Sequence, residues 1–398
     1  MIPKIDEEIG ISVYTTKSSP MQGKIKQNKN DFFVREVLSE KAIDCFHNDG
    51  GHGVYLLKKS GIDTNHALHD IENRYGLILK ALGLKDANAE TEQYVYTYKK
   101  LNSLVEYNGK KYSATRLGFV TKPISKKDML GNYFEIKISD LDGSLPSFTG
   151  DEKILNFFGY QRFGSKRPIT HLVGKSIING DYEKALEYLL NFSSKYDSEK
   201  NNETRKLISE RKSASEIIDL LPYSMDIERN LLKQLSNDDN PKHAIRSIPL
   251  TLRRFYIQAY QSFLFNKTLS LAHEFEEELF LPTMGDVCFD KNSILGKFAN
   301  DPAQRLAIPL IGHSYYKKSR FDYYIKKILE DELLTPKDFF IKDFQEISVD
   351  GGFRNASINY SNFDIHQNII KFQLSRGSYA TIVLREILKP ETPLDCGF

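Results

Sequence analysis

The sequence predicts an α+β protein, and two patterns carry that prediction. Stretches in the first third read as strands: Phe32 to Leu38, Gly53 to Lys59, Tyr94 to Tyr98 and Gly131 to Ile138. Most of them alternate apolar with polar residues, the period-two signature of a half-buried strand. The middle of the chain changes to apolar stripes at helical spacing, and strand alternation returns near Ile369. Runs of strands followed by runs of helices are the order of an α+β chain.

The elements follow in sequence. Lys24, Lys26 and Lys29 precede the alternating stretch Phe32 to Leu38. A helix is expected after the cap pair Asp63-Thr64, with Ala67, Leu68, Ile71 and Tyr75 on one face. The apolar run Leu77 to Leu84 and the run Tyr94 to Tyr98 enclose a tight polar connection with one acid, Asp86, among small residues. Taken alone, Asp86 reads as a loop aspartate in an Asx-type turn. Phe134, Ile136 and Ile138 share a strand face, which makes Phe134 core by pattern. Tyr182, Ala185, Leu186 and Leu189 form a helical stripe after a cap at Asp181, and Ser194 to Arg211 reads as a solvated surface helix with its connections. Leu252 to Asn266 is a long helix. Ile369 to Leu374 is a strand, and Ala380, Val383, Leu384, Ile387 and Leu388 make a last helical stripe.

Composition excludes several classes. The 398 residues suggest roughly two or three domains, and 40% hydrophobic residues are enough for real cores. No apolar run approaches membrane-spanning length, and the acidic N-terminus does not resemble a signal peptide. Three distant cysteines, Cys45, Cys288 and Cys396, match neither a disulfide framework nor a metal spacing, so a cytoplasmic, reducing location is expected. His66 and His69 lack a third ligand nearby and read as surface histidines. No phosphate-binding Gly-Lys loop, dinucleotide fingerprint or zinc spacing is present, so no cofactor and no metal are expected. Net charge is only +2, so any nucleic-acid site must come from local clusters of charge.

Gly83-Leu84-Lys85-Asp86-Ala87-Asn88-Ala89-Glu90-Thr91-Glu92-Gln93 resembles the Gly-x-Lys-Asp-x-x-Ala-x-Thr-x-Gln signature of the TruD family of RNA pseudouridine synthases. The family's other motifs follow in order: Lys26 with Asp31, Phe32, Val34 and Glu36; Gly131-Asn132-Tyr133-Phe134; Asn156 to Gly164; Ala259-Tyr260-Gln261-Ser262; Pro309 to Gly312; and Phe372 to Glu386. The resemblance runs from about residue 24 to 390. It implies a pseudouridine-synthase-like catalytic domain with a mixed, largely antiparallel sheet, built from residues 1–155 and 346–398. An α/β domain, 156–345, would be inserted in it, with the RNA in the cleft between them.

By the same resemblance the substrate is transfer RNA, with uridine 13 the expected target. Uridine 35 of a tyrosine transfer RNA, another RNA, and a non-catalytic RNA-binding factor on the same scaffold are the alternatives. No membrane or protein partner is implied. Asp86 is the expected catalytic carboxylate, acting as a nucleophile at C1′ or a base at C2′. A basic partner would keep it ionised, with Arg385 expected first and Lys26 next. Lys85 is the weaker partner, because adjacent side chains on an extended stretch point apart. Asn132 and Phe134 inherit places beside the carboxylate, and Phe134 and Phe372 a role in stacking the flipped base. Lys24, Lys26, Arg162, Lys166 and Arg167 are expected on one phosphate-binding groove; Lys29, beside the first two, and the cluster of Lys317, Lys318 and Arg320 are further candidates for phosphate contacts.

Overall fold

The computed structural model describes residues 1–398 apart from 86, 88, 98–104, 146–147, 149, 211–213, 223–224 and 316–318. Its strands are β1 (Phe32–Leu38), β2 (His52–Ser60), β3 (Leu79–Ala81), β4 (Glu90–Thr97), β5 (Glu106–Gly109), β6 (Tyr112–Val120), β7 (Met129–Lys137), β8 (Val287–Phe289), β9 (Leu295–Lys297), β10 (Arg305–Leu310), β11 (Gly352–Asn355), β12 (Tyr360–His366) and β13 (Ile369–Ser375). Its helices are α1 (Lys4–Glu8), α2 (Glu40–Ile43), α3 (Thr64–Tyr75), α4 (Thr170–Ile178), α5 (Tyr182–Asn191), α6 (Glu199–Ser209), α7 (Ala214–Leu220), α8 (Asp226–Asn237), α9 (Pro241–Ser247), α10 (Leu250–Glu274), α11 (Asp322–Asp331) and α12 (Ala380–Leu388).

Nine strands form the large sheet, in the order β12-β13-β7-β1-β4-β2-β6-β5, with β3 on β4. Among the described residues every pairing is antiparallel except β1 with β4, so the sheet is mixed but largely antiparallel. A second, four-stranded antiparallel sheet has the order β11-β10-β8-β9. The chain is thus α+β, as the pattern predicts. Strand β11 pairs with β10, so the chain leaves the second sheet only after Asn355.

Local chemistry accounts for the element ends. Asp63 caps α3 by accepting from the His66 amide, and Gly76 closes the helix in the left-handed region. Asp181 caps α5 through the Lys184 amide. Glycine is required where backbones touch. A Cβ on Gly131 would lie 1.8 Å from the Leu374 carbonyl oxygen, and one on Gly174 would lie 2.1 Å from that of Tyr256. The first lets β13 close on β7; the second lets α4 pack on α10.

One core runs continuously from Phe32, Val34, Phe134 and Phe372 on the large sheet, through α12, into Val173, Ile257 and Leu264 of the helical layer. A separate core under α3 joins Ala67 and Ile71 to Tyr55, Leu57 and Val95. The stripe expected on α12 is a complete sheath: all nine residues are buried, because the N-terminal segment covers its remaining side. The surface helix expected between Ser194 and Arg211 is also less solvated than its charges suggest. Arg205 on α6 is buried against Asp197 at 2.6 Å and Glu228 at 3.2 Å.

Candidate active site and RNA-binding face

Strand β1 alternates so that Phe32, Val34, Glu36 and Leu38 face inward. Glu36 is therefore a carboxylate in a row of apolar side chains, 1% exposed. Its Oε1 lies 3.2 Å from Lys85 Nζ, and its Oε2 accepts from the Tyr94 amide at 2.9 Å. Burial pushes the Glu36 carboxyl above its ordinary value, while the Lys85 ammonium and the Tyr94 amide pull it back. Lys85 Nζ also donates to Asn132 Oδ1 at 2.7 Å. Glu36 and Asn132 are cross-strand neighbours in the β1–β7 register. The three side chains thus form one polar cluster set into the sheet.

The motif's other residues anchor the connection that carries Lys85. The Lys85 amide donates to Thr64 Oγ1 at 2.9 Å, and Lys59 Nζ donates to the Lys85 carbonyl at 3.2 Å. Thr64 Oγ1 donates to Gln93 Oε1 at 2.8 Å, and Gln93 Nε2 donates to the Gly83 carbonyl at 3.0 Å. Ala89 is buried in the same core as Phe32 and Phe134. Asp86 itself lies outside the described residues.

Beside the polar cluster runs an aromatic row. Val34, Phe134 and Phe372 are in register across β1, β7 and β13. The Phe134 ring is 5.5 Å from that of Phe372 and meets Phe32 edge-on at 6.1 Å. Phe134 keeps 8% of its surface and Phe372 none. Phe372 is enclosed between Phe134 and Phe363.

Lys26 places Nζ 4.7 Å from the centre of the Phe32 ring. Its backbone has φ of 60°, a left-handed conformation that costs a non-glycine residue roughly 1–2 kcal/mol. Lys26 also lines a groove of about 560 Å³ shared with Lys29, Lys166 and Lys195. Lysines far apart in the chain therefore line one groove.

Several residues expected at the site have other partners. Arg385, expected beside Asp86, is fully buried, with Nε on Asp6 at 2.6 Å and Nη1 on Glu386 at 2.9 Å. Asp6 also accepts from the Tyr160 hydroxyl at 2.7 Å, and Glu386 from the amides of Thr15 and Thr16. The arginine clasps the N-terminal segment onto α12. Arg167 turns into the helical layer, paired with Glu228 at 3.1 Å and donating to the carbonyls of Tyr188 and Leu189. Arg162 is half-enclosed, donating to Ser262 and Gln258 and lying over Phe255. Lys24 is paired with Asp140 at 2.8 Å. Arg320 is held by Glu277 and Asp286; Lys317 and Lys318 lie outside the described residues. Glu36 is the residue to which sequence reasoning assigned no role. The signal was available: a glutamate on the inward face of an alternating strand.

Among the described residues no group of three or more possible metal ligands is assembled, and no helix is long and apolar enough to cross a membrane.

A family model for tRNA pseudouridine synthase D matches residues 8–387. The chain belongs to the TruD family. It is a TruD-type tRNA pseudouridine synthase, an isomerase. It is 30% identical to a protein of Archaeoglobus fulgidus over 97% of this chain and 100% of that one. It is 32% identical to a protein of Saccharolobus solfataricus over 97% of each chain. Both carry the name "Probable tRNA pseudouridine synthase D". A crystal structure of a TruD protein from Methanosarcina mazei superposes with a TM-score of 0.76, at 25% identity over 99% of both chains.

Proposed function

We propose that this synthase isomerises uridine 13 of transfer RNA to pseudouridine, with Asp86 as the carboxylate that starts the reaction. The observation that carries the reading is the cluster of Lys85, Glu36 and Asn132 at the edge of the aromatic row. The reaction breaks the N1–C1′ bond, turns the base and rejoins it through C5, so it needs a positioned carboxylate, a surface for the flipped base and no net electron transfer. Lys85 supplies positive charge next to Asp86 in the chain, and Glu36 and Asn132 hold that ammonium in place. Phe134, which keeps 8% of its surface where Phe372 keeps none, offers the ring on which the base stacks. Lys26, Lys29 and Lys166 supply phosphate contacts on the adjoining groove. Arg385 and Phe372 act behind the site as supports.

We take residues 1–155 and 346–398 as the catalytic unit and 156–345 as the insertion, with β11 reaching across to the insertion's sheet.

The test is to incubate the protein with unmodified total transfer RNA and map pseudouridines by chemical adduct and primer extension. Signal at position 13, abolished in Asp86→Asn with RNA affinity retained, is the expected outcome. Turnover should fall at least about 100-fold. Signal only at other positions would overturn the target assignment, and an active Asp86→Asn would remove Asp86 from the chemistry.

A further inference from the structure

A cavity of about 860 Å³ lies between the end of β7 and the second sheet, within the range of ligand sites. Five cations line it: Lys127, Lys291, Arg305, Arg354 and Arg376. Among the described lining residues there is no carboxylate, and none of the five forms an ion pair with a described residue. Lys24, Arg167, Arg320 and Arg385, by contrast, all have acidic partners. With a net charge of only +2, an unbalanced group of five is a pronounced local excess.

Two buried polar atoms in the same lining have no hydrogen-bond partner: Nη1 of Arg305 and Oδ1 of Asn355. Leaving such buried atoms unpaired is unfavourable. One needs an acceptor and the other a donor. A nucleotide carries both, since its phosphate accepts and its ribose hydroxyls and base amines donate. Phe289 and Phe353 also line the cavity and offer faces for a base.

The cavity adjoins the active site through β7. Leu130, one of its lining residues, is a bulge: Val37 pairs with Gly131 but Leu38 with Met129. Asn132 follows two residues later, about 7 Å along the strand.

We infer that this cavity is a second RNA subsite, which takes a nucleotide of the strand flanking the target uridine. It rests on the proposed transfer RNA activity. Its floor is Arg305 with Asn355, and its rim is Lys127 with Lys291. Both sheets contribute lining residues, so the subsite also sets the RNA's orientation relative to Asn132.

The test compares Arg305→Gln and the rim pair Lys127→Ala/Lys291→Ala with the parent protein, using a transfer RNA transcript. The expected result is a KM raised roughly tenfold with kcat retained. In the Asp86→Asn background, the slope of log affinity against log salt should fall by about one for Arg305→Gln and about two for the rim pair. The rim pair is solvent-facing, so it remains informative if Arg305→Gln fails to fold. A parent protein that converts transfer RNA, with KM and salt slope unchanged in the rim pair, would overturn the subsite alone. A parent protein that neither binds nor converts transfer RNA would overturn the underlying reading as well.

Discussion

Lys85 holds two partners at once, and its removal separates structure from chemistry. Lys85→Met leaves Glu36 buried without its cation, a loss of about 3–5 kcal/mol. Adding Glu36→Gln removes the stranded charge and should restore most of the melting temperature. Turnover should stay low in the double variant, because Asn132 still lacks its donor and the site its positive charge. Thermal melts and single-turnover rates decide this; full activity in the double variant would make Lys85 a purely structural residue. Side chains such as these were legible in the sequence as motif positions but not as partners. Asn132 and Lys85 are 47 positions apart, and only the β1–β7 register brings Asn132 opposite Glu36. Arg385 shows the converse. Its motif position was clear, yet its partner comes from Asp6 at the other end of the chain.

Among the elements, the α4–α10 pair shows how packing sets ionisation. His171 on α4 is stacked on Phe263 and edge-on to Phe163, 3% exposed. Burial holds its pKa down to about 4 against an ordinary 6.5. The sign follows directly. The unfolded chain takes up the proton below about 6.5, whereas the folded protein resists until about 4. The stabilisation is therefore complete above pH 6.5 and is lost as pH falls through that window, on the order of 3 kcal/mol in all. His171→Phe should flatten the fall of stability between pH 6.5 and 4 measured by denaturant unfolding. Equal pH dependence in both proteins would show that His171 is not protonation-linked to folding. Long periodic elements such as α10 and the alternating strands β1, β7 and β13 were legible in the sequence. The three-residue strands β8 and β9 were not, because so short a run carries no period.

For the whole molecule, the distribution of charge matters more than its sum. Lys26, Lys29, Lys166 and Lys195 reach one groove from three separate parts of the chain. Replacing Lys29 and Lys166 with glutamine should weaken transfer RNA binding and lower the salt slope by about two, with stability changed by less than about 0.5 kcal/mol. Arg167→Gln should do the opposite: a lower melting temperature with the salt slope intact, because its guanidinium faces Glu228. Titrations of affinity against salt for both variants separate surface from interior. A salt slope unchanged by the lysine pair would remove this groove from the RNA-binding face.

Strand alternation, helix caps and an ordered series of short motifs determined the α+β class, the family resemblance and the expected Asp86 site, because each is encoded within a few neighbouring residues. Which cations meet acids and which line a groove or cavity was decided by tertiary structure alone. Lysine and arginine are identical in sequence whether they face a carboxylate or a cavity, and the difference arises from strand register and from close approaches such as Gly131 against Leu374.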